Sequence, residues 1–465
     1  MNAPLIWIIL PMLGGMAVLF FIRDRSSAWI GGSLAALLSV IALIIPIDRA
    51  LLIGSISFKI SPSIQVLGRS FVLNAADGPL VGFIYGVAAI WFFGSESSGK
   101  AHRFVSLGLM VVSLLTASIA VEPFLFAALL WEMAAMLVVP LLVPVDRKPG
   151  PGVIRFLIFQ TMAMPFILFS GWMLAGVEVS LGDISLTTQA GTMLGLGFAF
   201  LFAIFPLYSW IPLLAEETNP YATGFLLWAL PTFTVIFGLG FLDRYAWLRT
   251  SDPLAAAIQI AGVLMTASGG IFASTQKHIG RMLGYGAIVE TGLFLISMGS
   301  RSPQALDTTF LLLLPRGVEF AVWSLGLVRL SQARTSLRFG DVKGIARQYP
   351  LACAAVVFSH LSVAGFPLLA GFPPRLALLH ILSSQSVVLS FWVVIGILGL
   401  LIGGIRTLAV FVMAEEDSPW GWSESRIESG MLVLGIFALF MLGMLPQVLQ
   451  PLVARLPLIF EHMIQ

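Results

Sequence analysis

The chain has 465 residues, 58% of them apolar and only 10% charged, with a net charge of +2, where a soluble domain carries about 25% charged residues. That composition excludes a soluble protein and points to the lipid bilayer as solvent. A single cysteine, Cys353, excludes an internal disulfide and an iron–sulfur cluster held within the chain.

Apolar spans separated by charged or Gly/Pro-rich breaks fall at 3–22, 27–46, 78–94, 104–121, 123–144, 153–176 and 190–213. They continue at 221–242, 254–274, 282–299, 307–330, 349–372, 386–412 and 429–448. This pattern predicts an all-α polytopic membrane protein of about 14 transmembrane helices, since each run is of the length that crosses a bilayer. The first run follows no basic segment and precedes no small-residue cleavage site, so it reads as a helix and not a signal peptide. Residues 47–77 form the one sizeable loop, and the alternation of Ile53, Ile56, Phe58 and Ile60 suggests a short hairpin. Lys and Arg, among them Arg23, Lys100, Arg103, Arg147, Lys148, Lys277, Arg281, Arg334 and Arg338, favour one set of loops by about two to one. That bias places both termini outside, and the membrane expected is a cytoplasmic (inner) one.

Two of these spans are broken by the same local pattern. Phe205-Pro206-Leu207 and Phe366-Pro367-Leu368 are each followed by a further proline, Pro212 and Pro373, six residues after the first. Proline removes a backbone donor and clashes with the preceding turn. Paired interruptions in two halves of a chain are a pointer to an ion or substrate path.

Ionisable residues inside spans are costly and are functional candidates by default. They are Glu132, Glu290, Arg316, Glu319, Arg375 and Arg406. Glu132 has no basic residue within a helical turn, which suits it to gaining and losing a proton; the alternative is a structural hydrogen bond to a neighbouring helix. Arg316 and Glu319, three apart, are placed to pair locally, and Glu290, one helix earlier, completes a triad with a surplus carboxylate. Arg375 keeps its charge and cannot itself carry a proton. Arg406 is placed to snorkel to the inner surface. The five histidines have no metal-ligand spacing, and His360 and His380 flank a broken segment instead of facing each other as haem ligands would. No cofactor, metal or nucleic-acid partner is expected.

Gln276-Lys277-His278-Ile279-Gly280-Arg281-Met282-Leu283-Gly284-Tyr285 resembles the Q-x-D-x-K-R-x-L-A-Y-S signature of the antiporter-like subunits of respiratory complex I. These are relatives of Mrp sodium/proton antiporters and of the large membrane subunits of energy-converting hydrogenases. Phe205–Pro212 is similar to that family's P-L-H-x-W-L-P, and Ser362–Phe372 to its L-S-L-A-G-I-P-P-x-A-G-F. The resemblance implies inverted repeats of helices 4–8 and 9–13 with broken helices 7 and 12. The chain then divides into 1–104, a first repeat at 105–242, a second at 254–412 and a C-terminal helix at 429–448.

The resemblance also implies a proton path through buried lysines, and here the chain departs from it. The seventh-helix lysine falls at Leu201 and the eighth-helix lysine within Pro231-Thr232-Phe233. Glu319 replaces an eleventh-helix lysine, Glu290 a histidine and Arg375 the twelfth-helix lysine, while the Glu132 position is kept. The implied role is a membrane-arm subunit of a redox-driven proton-translocating complex, NADH:quinone oxidoreductase-like or hydrogenase-like, with a reduced or rewired path. It would hold no redox centre and would have other membrane subunits, lipid, and protons or sodium as partners. The alternatives are a non-conducting structural subunit and a free-standing cation/proton antiporter.

Overall fold

A computed structural model describes residues 2–22, 24–53, 56–99, 101–144, 148–179, 184–413 and 420–464. Arg23, Lys100 and Arg147, counted in the charge bias, lie outside the described residues. In chain order, a π turn leads into α1 (Leu10–Phe21), followed by α2 (Asp24–Ile44), α3 (Gly78–Gly94), α4 (Ala101–Ala120), α5 (Ala127–Leu142), α6 (Pro151–Val179) and α7 (Ile184–Leu201). Next come α8 (Trp210–Glu217), α9 (Pro220–Arg244), α10 (Ala246–Arg249), α11 (Asp252–Thr275), α12 (Ile279–Gly299) and α13 (Pro303–Ala333). The last long elements are α14 (Pro350–Val363), α15 (Phe372–Gln385), α16 (Val387–Val412) and α17 (Arg426–Met444). Among the described residues, 11 helices are long and apolar enough to cross a membrane, and Leu5–Phe21, Leu186–Leu201 and Pro350–Val363 are shorter apolar helices. The chain is an all-α polytopic membrane protein.

Polar residues at the helix starts explain many of the boundaries. Asn219 Oδ1 accepts from the backbone N–H groups of Tyr221 and Ala222 to open α9. Ser251, Ser302 and Ser386 do the same with their hydroxyls for α11, α13 and α16, and Ser425 with Glu428 forms a capping box on α17.

The chain falls into two compact units. One comprises residues 1–148, 154–203 and 233–240; the other comprises 149–153, 204–232 and 241–465. In the first unit, α3 and α4 are its most buried helices; Ser39 of α2 donates to the Gly82 carbonyl of α3 (2.6 Å), and Trp7 of the π turn donates to the Leu38 carbonyl of α2 (3.1 Å). The loop between α2 and α3 forms β1 (Ala50–Ile53) paired antiparallel with β2 (Ile56–Lys59). It also forms β3 (Ser63–Val66) and β4 (Arg69–Val72), which join β5 (Val121–Glu122) in a three-stranded sheet. In the second unit, α12 is enclosed on all sides and α13 nearly so. Gly280 and Gly284, within the Gln276–Tyr285 stretch, let α8 approach α12: a Cβ at Gly284 would sit 3.1 Å from Pro212 Cα, and one at Gly280 would sit 2.5 Å from the Ala215 carbonyl.

Candidate functional site: a buried charge cluster at a broken helix

The predicted spans 190–213 and 349–372 are not continuous helices. Helix α7 stops at Leu201 and α8 starts at Trp210, with Pro206 in the gap and Pro212 inside α8. Helix α14 stops at Val363 and α15 starts at Phe372, with Pro367 in the gap and Pro373 at the start of α15. Gly365 closes α14 in the left-handed region (φ 72°), and the Phe366 N–H reaches back to the Leu361 carbonyl (2.9 Å), a Schellman-type stop.

Four charged side chains converge at this second gap. Glu290 comes from α12, Arg316 and Glu319 from α13, and Arg375 from α15, and none is more than 3% exposed. Arg316 Nη1 lies 3.8 Å from Glu290 Oε2, and Arg375 Nη2 pairs directly with Glu290 Oε1. Arg316 also donates to the Leu227 carbonyl (2.7 Å) and lies over the rings of Phe294 and Phe320. Glu319 Oε1 accepts from Ser362 Oγ (2.6 Å), which accepts in turn from the Gly371 N–H (3.1 Å). The Gly371 carbonyl accepts from Arg375 Nη1 (2.7 Å). One polar chain therefore runs Glu319–Ser362–Gly371–Arg375–Glu290–Arg316 and stitches both sides of the gap together.

This arrangement corrects two expectations. The local ion pair between Arg316 and Glu319 is not among the described ion pairs: Arg316 turns to Glu290, and Glu319 to Ser362. The expected triad with a surplus carboxylate is instead a balanced set of two carboxylates and two guanidiniums, because Arg375 joins it. Lone charges would be prohibitive in this setting, whereas a paired and hydrogen-bonded set is tolerable. Ser362 and Gly371 were missed as site residues, although the Ser362–Phe372 motif contains both. A Cβ on Gly371 would run into Arg375 Nη1 and the Ser362 carbonyl.

The other candidates lie apart from this set in their own surroundings. Glu132 is half-buried on α5 and accepts from Thr161 Oγ1 of α6 (2.8 Å), beside Trp131, whose Nε1 donates to Gln160 Oε1 (3.1 Å). Leu201 is a buried apolar residue, and Thr232 donates to the Trp228 carbonyl of its own helix (2.7 Å). Arg406 does not snorkel freely: it donates to the Ser274 carbonyl and covers the Phe339 ring.

Outside the spans, Glu216 pairs with Arg281 (Nε to Oε2, 2.5 Å) and lies 3.7 Å from Arg338. His278 caps α12 by accepting from the Arg281 N–H (3.4 Å), and His278 and Glu216 border an open cleft of about 470 Å³ with Arg334, Ser336, Arg338 and Asp341. Burial pulls the His278 imidazole below its ordinary value, with Arg281 and Arg338 acting the same way and Glu216 opposing. Glu424 caps α14 from the loop before α17, accepting from the Ala352 N–H (2.7 Å). Burial pushes its carboxyl up, and those backbone bonds and Arg329 hold it back.

Residues 177–403 match the family model described as NADH:quinone oxidoreductase/Mrp antiporter, transmembrane region. NADH-quinone oxidoreductase subunit N of Dehalococcoides mccartyi is 26% identical over 357 residues, 68% of this chain and 71% of the relative. Among solved structures, a chain of respiratory complex I from Thermus thermophilus superposes with a TM-score of 0.78 at 20% identity, covering 99% of each chain. A chain of the archaeal membrane-bound sulfane sulfur reductase gives 0.82 at 13% identity, covering 100% of this chain and 98% of its own.

Proposed function

On the premise that the chain is a member of the antiporter-like membrane subunit family, we propose that it is a membrane-arm subunit of a redox-driven, proton-translocating complex similar to complex I. It takes its driving force from partner subunits and holds no redox centre itself. Fourteen spans fit the eleven long and three shorter apolar helices among the described residues, and the reading takes helices 4–8 and 9–13 as inverted repeats. The bias of Lys and Arg in the loops supports both termini outside, in what this reading takes to be a cytoplasmic membrane.

The observation that carries the reading is the polar chain across the α14–α15 gap. Two guanidiniums keep Glu290 a fixed anion, and neither arginine can give up its proton under ordinary conditions. Glu319 is different: one oxygen is held by Ser362 and the other has no hydrogen-bond partner among the described residues. Glu319 is therefore the group of the four best placed to take up and release a proton. Movement of the gap would change its distance to Arg375 and so its charge state, which is how a conformational pulse from a redox partner would drive it. Glu132 serves as a second, separate proton site on α5.

The test is Glu319→Gln, which keeps the hydrogen bond from Ser362 and removes titration. The assembled complex should keep its subunits on a native gel while redox-driven proton uptake by membrane vesicles falls. Unchanged uptake would favour a structural subunit that conducts nothing, a reading supported by Leu201 and by Pro231-Thr232-Phe233 where the family's lysines would fall.

A further inference from the structure

Along the contact between α13 and α14, residue numbers rise on one helix as they fall on the other. Glu319 meets Ser362, Trp323 stacks on His360 (centroids 4.7 Å apart, planes at 25°), and Gly326 lies against Ala352 and Val356. One helical turn from Glu319, beside the Trp323–His360 stack, α14 completely buries two further polar side chains, Ser359 and His360, each 0% exposed. Among the described residues the Ser359 hydroxyl has no hydrogen-bond partner and neither His360 ring nitrogen meets hydrogen-bond geometry, with the Leu400 carbonyl the backbone group beside the ring.

Burying a polar atom without a partner costs about 1–3 kcal/mol, and a packed apolar contact would gain nothing by keeping such atoms. Buried water satisfies groups of this kind when several of them surround it. Gly403 and Gly404 of α16 face the His360 ring, with would-be Cβ atoms 3.3 and 3.5 Å from it, so the imidazole is held in place without a polar clamp.

We propose that His360 is a further proton-carrying residue, exchanging a proton with Glu319 through water held by Ser359 and Ser362. This rests on the reading of Glu319 as a titrating group. In the step, the O–H bond of neutral Glu319 breaks and an N–H bond forms on His360. The products are a carboxylate and an imidazolium; the hydroxyls and water each pass on one hydrogen and receive one, and the total charge of the pair is unchanged. Since Arg316 and Arg375 are fixed cations and Glu290 is held between them, His360 is the titratable side chain nearest along this contact that is not tied up by an ion pair. It carries the path away from the gap, towards the end of α14 that Glu424 caps.

The experiment compares His360→Phe, His360→Gln and Glu319→Gln in the assembled complex, measuring redox-driven proton uptake by vesicles beside a native gel. Phe keeps the ring stacked on Trp323, and Gln keeps hydrogen bonding without titration. A proton-carrying His360 predicts a fall of roughly ten-fold or more for both His360 variants, matching Glu319→Gln, with assembly intact. Recovery of normal uptake with His360→Gln would mean a structural hydrogen bond and would overturn the proposal. Normal uptake in both His360 variants, with loss in Glu319→Gln, would also overturn it while leaving the proposed function standing. Normal uptake in all three would remove both.

Hydration is tested independently of activity, and decides the matter if the His360 variants do not assemble. In a Cys353→Ala background, Ser359→Cys should react with silver ion many times faster than a cysteine at equally buried Ala355. Equal, slow reaction at both positions would show a dry contact and end the proposal.

Discussion

The two broken helices share a backbone plan and differ in what fills it. Each gap exposes a phenylalanine next to its first proline, Phe205 and Phe366, and each holds a non-glycine residue at positive φ, Ala203 (52°) and Leu368 (71°). Around the α7–α8 gap the flanking Leu201, Phe202 and Ala203 are buried and apolar, and the polar link is Tyr208 Oη to Ser268 Oγ (2.9 Å). Around the α14–α15 gap, two carboxylates, two guanidiniums, a serine and a glycine backbone close on one another. A proline break therefore supplies exposed backbone groups and a place to bend, but not chemistry. The charge brought in from α12, α13 and α15 separates a kink from a site.

That contrast is broken most severely by removing its central anion. Glu290→Leu leaves Arg316 and Arg375 buried without their counter-charge, a loss of about 3–5 kcal/mol by comparison with other broken buried pairs. The detergent-purified protein should melt far earlier or fail to accumulate. Adding Arg375→Met should recover part of the loss, since one unpaired cation is then gone; a double variant less stable than Glu290→Leu would contradict the pairing.

Glycines give the next largest difference. Gly371→Ala drives a Cβ into Arg375 and Ser362, and overpacking of this kind costs about 1–3 kcal/mol. On α7, by contrast, a Cβ at Gly195 meets nothing within 4 Å, and Gly→Ala in a helix gains up to about 1 kcal/mol. The two melting temperatures should move in opposite directions. A neutral Gly371→Ala would mean that the polar chain across the gap is looser than its distances imply.

Much of this was legible in the sequence, for reasons that differ from residue to residue. Pro206 and Pro367 forecast both gaps because proline acts locally, through its own ring. Glu290, Arg316, Glu319 and Arg375 stood out because charge is rare in spans this apolar. Their partners could not be read the same way. Arg316 was free to turn to Glu319 on its own helix or to Glu290 on the next, and helix packing, not spacing, chose the latter. Ser362, Gly371 and His360 act through where α14 and α15 sit relative to α13, and serine and glycine are too common for either to be conspicuous. Glu424 caps a helix from 72 residues away, a pairing that local spacing cannot reveal.

A milder test lies at the uncharged gap. Tyr208→Phe removes the hydroxyl that meets Ser268, on a residue that is otherwise buried. Losing one neutral hydrogen bond costs about 0.5–1.5 kcal/mol, and proton uptake by the complex should not change. Lost uptake would show that the first gap carries chemistry through its hydroxyls, and the contrast between the gaps would fail.

The smallest effect is expected at the corner joining α8 to α12, which packs the first gap's helix against the helix carrying Glu290. His278 caps α12 only as neutral imidazole, because the nitrogen that accepts the Arg281 N–H must be unprotonated. Its folded-state affinity for a proton is below the ordinary 6.5, chiefly through burial. The unfolded chain therefore binds the proton more readily, so stability rises with pH across the window between the two values. The cap's contribution is complete above about 6.5 and declines as pH falls through the lower folded-state value. A neutral cap is worth about 0.5–2 kcal/mol, and at this long 3.4 Å contact the low end applies. The protein should thus melt slightly lower at pH 5.5 than at 7.5, by more than in His278→Asn, whose amide caps without titrating. Identical pH slopes in the two proteins would show that His278 is not the cap at this corner.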